Sequence, residues 1–190
     1  METKFASSLA EIETRAEALG FDMNSGMQVG QLLASLAASK PGGRFLELGT
    51  GCGLGVAWLL SGMDAQSHLV SMDTDEGPQG IARDVLGADT RVTFMLEDGG
   101  AVLERTDAES YDLIFADAWP GKFSHLDEAL AALKPGGVYV VDDLLPQPNW
   151  PDGHQANVDA YLDDLRGRGG FAFTQMDWAT GVVMMVKRSL

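Results

Sequence analysis

Residues 44–60, RFLELGTGCGLGVAWLL, decide the fold of this chain. An apolar run is followed by alternating glycines, and a second apolar run begins at Val56. The glycines are Gly49, Gly51, Gly53 and Gly55. Glycine reaches positive φ without a Cβ clash and lets the backbone approach a ligand closely. The stretch therefore predicts a strand, a tight turn and a helix, the unit that presents backbone N–H groups to a nucleotide-like ligand.

An acidic residue in the next strand-like run supports a nucleotide site. Asp73 lies 22 residues after Gly51, at the end of His68–Asp73, and an acid at that distance suits the two hydroxyls of a ribose. The dinucleotide fingerprint G-x-G-x-x-G/A fails in every register, because its last position falls on leucine, valine or tryptophan. The P-loop pattern G-x-x-x-x-G-K-[ST] is absent as well. These failures disfavour a nicotinamide oxidoreductase and a phosphate-cradling loop.

Length and composition narrow the function classes. The 190 residues predict one domain over 1–190, with N-terminal helices in 1–40 packing on its core. The net charge of −15 would repel a polyanion, so we expect no nucleic-acid partner. The single cysteine, Cys52, excludes an internal disulfide and fits a reducing compartment. Without a membrane-length apolar run, and with acids near the N-terminus, we expect a cytoplasmic protein that binds no membrane.

The alternation of apolar runs predicts an α/β fold. We expect strands at 44–48, 68–73, 92–96, 111–117, 138–141, 171–176 and 182–187, and a turn at 134–137. We expect helices at 2–19, 27–38, 76–86, 123–133 and 154–168, and one after the glycine turn that runs to about residue 60. This order predicts an open, mostly parallel sheet with helices on both faces and a C-terminal antiparallel strand. Ligands of such sheets bind at the carboxyl ends of the strands. The helix at 2–19 would suit a homodimer interface.

Acidic residues end the predicted parallel strands. They are Glu47, Asp73, Asp98, Asp117 and the pair Asp142-Asp143. Single acids at strand ends can be helix caps, but the repetition over five strands favours a shared site. Asp117, Asp142 and Asp143 would repel one another without basic neighbours, and a divalent cation such as Mg²⁺ relieves that repulsion. The alternative is that Asp143 only caps a turn.

These motifs carry a resemblance to a known family. The pattern E-x-G-x-G-x-G-x-G resembles motif I of the class I S-adenosylmethionine-dependent methyltransferases, and residues 23–187 look like the metal-dependent O-methyltransferases of the catechol and caffeoyl-CoA type. The matching segments are Met23-Asn24, Gly30-Gln31, Glu47-Leu48-Gly49, Cys52-Gly53, Asp117-Ala118-Trp119 and Asp142-Asp143. The resemblance implies a Rossmann-like fold, S-adenosylmethionine as cofactor, a divalent cation, and methyl transfer to a small hydroxylated, catechol-like acceptor.

The resemblance also implies roles for individual residues. The cofactor would be held by Met23, Asn24, Glu47, Gly49, Thr50, Gly51, Gly53, Asp73, Thr74, Asp98 and Asp117. Asp73 would hold the ribose, and Asp98 would lie near the adenine. The metal would be held by Asp117, Asp142 and Asp143, where Asp143 replaces the family's asparagine. Trp119 and Trp150 would form walls of the acceptor pocket.

The chain departs from the catechol enzymes at the general base. Pro120 stands where those enzymes have a lysine after the tryptophan. Lys122 and His154 are the candidate bases here, and Asp117 is the third candidate catalytic residue. Each candidate base has a plain structural alternative, namely a solvated lysine that opens a helix and a histidine at a helix start, and Trp150 could merely anchor its loop. A metal-independent methyltransferase and a non-catalytic cofactor-binding protein also remain open.

Overall fold

The computed structural model describes residues 2–148 and 150–189 and shows a seven-stranded sheet with the strand order β3-β2-β1-β4-β5-β7-β6. The strands are β1 Arg44–Leu48, β2 His68–Asp73, β3 Val92–Leu96, β4 Tyr111–Ala116, β5 Leu133–Val141, β6 Phe171–Met176 and β7 Val182–Lys187. The helices are α1 Glu2–Leu19, α2 Met27–Ala38, α3 Leu54–Gly62, α4 Glu76–Leu86, α5 Gly99–Glu104, α6 Leu126–Ala131 and α7 His154–Gly167. Strands β1 to β5 pair in parallel, and β7 runs antiparallel between β5 and β6. The predicted fold class is confirmed.

The sheet separates two apolar layers, because successive side chains of a strand point to opposite faces. In β1, Phe45 packs in a layer with residues of α1, α2, α3 and α4, whereas Leu46 and Leu48 pack in a layer with residues of α5, α6 and α7. Both faces are therefore covered by helices, as parallel strands require. Ile12 and Ala16 of α1 are fully buried in the first layer, so this helix belongs to the same core as the sheet. The single-domain organisation stays a prediction.

Two helices differ from the sequence prediction. Helix α5 was not predicted, because Gly99-Gly100 at its start has poor helix propensity; Asp98 caps it by accepting a hydrogen bond from the Ala101 N–H at 3.0 Å. Helix α6 begins at Leu126 rather than at residue 123. The backbone before it folds into a turn in which the Trp119 carbonyl accepts three N–H groups, and His125 at the helix N-cap has φ of 53°.

The predicted turn at 134–137 is wrong. The Lys134-Pro135-Gly136-Gly137 segment lies within β5, and the predicted strand at 138–141 is only its second half. The pairing of β5 with β4 shifts register between Tyr111 and Leu113, which accommodates Gly136 at φ of 76°. Pairing with the neighbouring strand has overridden the local turn signal. Among the described residues, none of the helices combines the length and apolar character needed to cross a membrane.

The contact between α2 and α3 gives a test of the packing. A Cβ on Gly62 would lie 2.0 Å from the backbone carbonyl oxygen of Ala34, so Gly62→Ala forces the helices apart. We expect a loss of about 1–3 kcal/mol in the free energy of unfolding, measured by urea titration. The matched control is Gly80→Ala within α4, where a Cβ meets nothing within 4 Å. Its free energy of unfolding should rise by about 0.5–1 kcal/mol. Equal stability of Gly62→Ala and the wild type would contradict this packing.

Candidate functional site

The glycine turn between β1 and α3 is shaped by close backbone contacts. Gly49 has φ of 100°, and a Cβ there would lie 2.6 Å from the carbonyl oxygen of Asp117, so only glycine fits. The Gly49 N–H donates to the carbonyl of Met72 at 2.9 Å, and the Gly51 N–H donates to Asp73 Oδ2 at 2.8 Å. The acid at the end of β2 thus holds the turn as well as facing any ligand above it.

A cavity of about 220 Å³ lies against this turn. Of the predicted cofactor residues, those lining it are Met23, Asn24, Glu47, Gly49, Thr50, Gly51, Asp73 and Asp117. Gly53, Thr74 and Asp98 lie outside this lining. Gly53 is the N-cap of α3, and its α-carbon faces Ala82. Thr74 is exposed, and Asp98 caps α5. A ligand contact of these three residues stays a prediction.

Glu47 lies buried beneath the turn in a chain of polar side chains. Its Oε2 accepts a hydrogen bond from Ser71 Oγ at 2.5 Å, Ser71 Oγ lies 2.7 Å from Thr50 Oγ1, and Gln79 Nε2 donates to Thr50 Oγ1 at 3.2 Å. Its Oε1 has no hydrogen-bond partner among the described residues. Burial raises the pKa of Glu47 to about 8, the charge of Asp73 adds to this, and the Ser71 hydrogen bond opposes it. The Glu47 side chain is therefore a largely protonated acid at neutral pH.

Three carboxylates converge beside the cavity. Strands β4 and β5 are parallel neighbours with Ala116 opposite Val141, so the residues that follow them, Asp117 and Asp142-Asp143, meet at one edge of the sheet. One carboxylate oxygen from each lies within 4.8 Å of the others. Asp142 is 1% exposed, and its Oδ1 has no hydrogen-bond partner among the described residues. The structure thus brings together the three predicted metal ligands.

Asp143 occupies a backbone conformation that side chains other than glycine seldom adopt. Its φ is 54°, in the left-handed region. Aspartate tolerates this region better than most residues, and such positions concentrate at functional sites. The Asp143 carboxylate belongs to the cluster, so a role as a simple turn cap does not describe it fully.

Lys122, one of the two candidate bases, lies beside these carboxylates. It is 7% exposed, and its Nζ donates to the backbone carbonyl of Asp142 at 2.7 Å, so it is neither solvated nor at a helix start. Burial and mutual repulsion raise the pKa of both Asp117 and Asp142, and the Lys122 charge opposes the rise.

An aromatic cluster lies next to the carboxylates. The His154 ring centroid lies 4.7 Å from that of Trp150, 5.3 Å from that of Phe123 and 6.3 Å from that of Trp119. Trp119 is 56% exposed, so part of this surface is open. The predicted wall residues and one candidate base therefore lie together, and we call Trp119, Phe123, Trp150 and His154 the aromatic wall.

The aromatic wall is fixed from beneath by two buried tyrosines. Tyr139 donates to the carbonyl of Gly121 at 2.7 Å, and its hydroxyl lies 2.5 Å from that of Tyr161. The Tyr161 ring also lies 5.4 Å from the Phe123 ring. Burial raises the pKa of both phenols, so they stay neutral hydrogen-bonding groups.

Several residues of the site gave no usable signal in the sequence. In the sequence, Phe123 is one apolar residue of a predicted helix. Ser71 lies in a predicted strand and Gln79 in a predicted helix, with nothing that marks either as part of a site. Ser25 donates to Asp117 Oδ2 at 3.1 Å across 92 residues of chain. Such contacts depend on tertiary packing, which local spacing does not encode.

Comparison with known proteins agrees with this geometry. Residues 46–144 match the model of a family described as a methyltransferase domain. A predicted O-methyltransferase of Mycolicibacterium vanbaalenii is 36% identical over 118 residues, which cover 60% of this chain and 52% of that protein. The chain thus spans about half the length of the curated relatives it matches.

Solved structures share the whole fold. The O-methyltransferase TomG of Streptomyces achromogenes, involved in tomaymycin synthesis and solved in complex with S-adenosylmethionine, has a TM-score of 0.82 at 23% identity, covering 96% of this chain and 90% of that one. An O-methyltransferase of Bacillus cereus in complex with S-adenosylhomocysteine has a TM-score of 0.80 at 21% identity, covering 96% and 91%. At these identities the likeness establishes the fold.

The raised pKa of Glu47 predicts a pH dependence of stability. Between pH 4.5 and about 8 the folded state keeps a proton that the unfolded state has lost, so the contribution of Glu47 to stability is present below pH 4.5 and is lost as the pH rises. Over this range the free energy of unfolding should fall by up to about 1.4 kcal/mol per pH unit. From pH 5.5 to 7.5 the wild type should therefore lose about 2–3 kcal/mol more than Glu47→Gln in urea titrations.

Glu97→Gln is the control for this comparison. The Arg105 partner lowers the pKa of the Glu97 carboxyl, so this residue does not titrate between pH 5.5 and 7.5. Its variant should follow the slope of the wild type. A Glu47→Gln variant that also follows that slope would show that Glu47 is ionised in the folded protein.

Proposed function

The chain belongs to the methyltransferase-domain family, and from this premise we propose that it is an S-adenosylmethionine-dependent O-methyltransferase. We propose a small hydroxylated, catechol-like aryl acceptor and assistance by a divalent cation. The observation that carries the proposal is the convergence of Asp117, Asp142 and Asp143 beside the cavity at the glycine turn. O-methyltransferase is also the activity named for the relatives and for two solved structures of this fold.

The cavity fits the cofactor. Glu47 Oε1, which has no hydrogen-bond partner in the described part of the chain, offers a polar atom at its floor, and Asp73 offers carboxylate oxygens at its side. Asp73 would hold the ribose, while Met23, Asn24 and the glycine turn would surround the methionine end. S-adenosylmethionine supplies a methyl group already activated on a sulfonium. The residues of the cavity have to fix the position of that group relative to the acceptor, within about 3 Å and in line.

The carboxylate cluster fits a hard divalent cation. Its donors are oxygens, which Mg²⁺ prefers, and the buried Asp142 Oδ1 lacks a partner among the described residues. Asp117, Asp142 and Asp143 would hold the ion. A bound cation would lower the pKa of an acceptor hydroxyl and fix its direction. The extra carboxylate of Asp143, relative to an asparagine, would strengthen the preference for a doubly charged ion.

The remaining residues would bind the acceptor and receive its proton. The exposed Trp119 and the neighbouring Trp150 suit a flat aromatic ring, because aromatic groups pack through offset or edge contacts. We place the proton acceptor at Lys122, whose Nζ is held at the Asp142 carbonyl, rather than at His154, which packs among aromatic rings. For this step Nζ has to be the neutral amine, a form that a doubly charged ion bound beside it would favour by releasing the ammonium proton to solvent. In this assignment His154 only contributes to the aromatic wall, which would contact the acceptor.

A metal-independent methyltransferase is the second candidate. The positive charge of Lys122, whose Nζ donates to the Asp142 carbonyl, already offsets part of the negative charge of the carboxylates. A cluster balanced in this way could orient an acceptor hydroxyl without an ion. The two candidates differ in their response to a chelator.

Metal binding tests the first candidate directly. We expect the wild type, with S-adenosylhomocysteine present, to bind about one Mn²⁺ per chain by electron paramagnetic resonance, and Asp142→Asn/Asp143→Asn to lose this binding because two of three charged ligands are gone. Asp163→Asn on the exposed face of α7 is the control and should bind normally. Methyl transfer to a catechol panel should stop with a chelator. Full activity in the chelator favours the metal-independent enzyme, and cofactor binding without any transfer points to a non-catalytic protein.

Two substitutions separate the candidate bases. Lys122→Met keeps the length of a buried side chain but removes its basic atom, and we expect kcat to fall by about 10²–10⁴-fold. His154→Phe keeps the ring contacts with Phe123 and Trp150, and kcat should stay within about threefold, with any effect in the acceptor KM. S-adenosylhomocysteine affinity, measured by calorimetry, should be unchanged in both variants. The reverse pattern of kcat would assign the proton to His154.

A further inference from the structure

One short segment forms a wall of the cavity and also reaches the carboxylate cluster. Residues 21–26, which we call the covering segment, connect α1 to α2. Phe21, Met23, Asn24 and Ser25 line the cavity. The Phe21 ring packs over the glycine turn, since a Cβ on Gly51 would lie 3.1 Å from its Cζ. A molecule that fills this cavity would therefore touch both the turn and the covering segment.

A side-chain hydrogen bond joins the covering segment to the carboxylates. Ser25 Oγ donates to Asp117 Oδ2 at 3.1 Å. Asp117 also lines the cavity, and its carboxylate lies in the cluster with Asp142 and Asp143. The position of the Ser25 hydroxyl thus bears on the orientation of the Asp117 carboxylate, which is one of the three oxygen donors of the cluster.

The covering segment has little burial of its own to fix this position. Met23 is 66% exposed, and Asn24 and Ser25 are only half-buried. A cofactor in the cavity would add contacts to the segment and hold Ser25 against Asp117. A hydrogen bond to a charged oxygen is one of the stronger polar contacts in a protein and fixes the direction of the carboxylate.

We propose that Ser25 is a positioning residue that couples the cofactor cavity to the carboxylate cluster, so that cofactor and divalent cation bind with positive cooperativity. This inference rests on the proposed function, because it requires both ligands. Coupling between two sites is reciprocal, so each ligand must raise the affinity of the other by the same factor. A hydroxyl that only stabilised the fold would change neither factor.

The experiment measures the coupling factor itself. Mn²⁺ is titrated by electron paramagnetic resonance without and with saturating S-adenosylhomocysteine, and S-adenosylhomocysteine is titrated by calorimetry without and with Mn²⁺. In the wild type we expect each ligand to tighten the other by at least about fivefold. In Ser25→Ala the factor should fall to about one, while thermal unfolding stays close to that of the wild type. Ser25→Thr keeps a hydroxyl and should keep the factor, as should Ser35→Ala on the exposed side of α2.

Each other outcome overturns the inference in a recognisable way. Mn²⁺ binding in the wild type without coupling, or with coupling that persists in Ser25→Ala, overturns the role of Ser25 alone and leaves the proposed function standing. A wild type that binds S-adenosylhomocysteine but no Mn²⁺ under either condition overturns the metal assignment and this inference together. Loss of coupling in Ser25→Thr as well as in Ser25→Ala would show that the size of the side chain, and not its hydroxyl, matters.

Discussion

The site depends on the close approach of two backbones where β1 and β4 end. The Asp117 N–H donates to the Leu48 carbonyl at 2.8 Å, and the Asp117 carbonyl lies where a Cβ of Gly49 would be. The strand order reverses between these two strands, so their following segments leave toward opposite edges of the sheet and open a crevice. Both the cavity and the carboxylate cluster border this crevice. A side chain at position 49 would push the turn away from Asp117 and separate them.

The chain concentrates acids at this crevice and offsets their charge in several ways. Glu47 is kept largely protonated by burial, with Ser71 as its donor. Asp73 accepts backbone N–H groups from Gly51 and Asp75. The Asp117, Asp142 and Asp143 cluster has the positive charge of Lys122 and the Ser25 hydroxyl as partners. These partners offset part of the negative charge of the acids, and a bound cation would complete the same balance.

The sequence predicted the strands and the acids at their ends, but it did not predict individual side-chain contacts between distant parts of the chain. Strand bounds such as His68–Asp73 follow from apolar periodicity, and the order of the strands predicted that their terminal acids would meet. The prediction for 119–137 was wrong for two reasons. The turn at the Trp119 carbonyl makes α6 begin later than predicted, and pairing with β4 places the Pro-Gly-Gly segment inside β5. Lys122 was a candidate from the sequence, but its hydrogen bond to the backbone carbonyl of Asp142 was not. Ser25 reaches the Asp117 carboxylate across 92 residues, a contact that no spacing rule indicates.

The carboxylates and the aromatic wall rest on different supports. Asp117 and Asp142 follow adjacent central strands, whose ladder fixes their positions, whereas Trp119 and Trp150 lie on a turn and a loop. Sites on strands are held more precisely than sites on loops, so reacting atoms belong on the former and acceptor recognition can vary on the latter. The two supports are nevertheless joined, because the Tyr139 hydroxyl holds the Gly121 carbonyl next to Lys122. A substitution in the aromatic wall that disturbs this turn would therefore also move Lys122, whose Nζ donates to the Asp142 carbonyl.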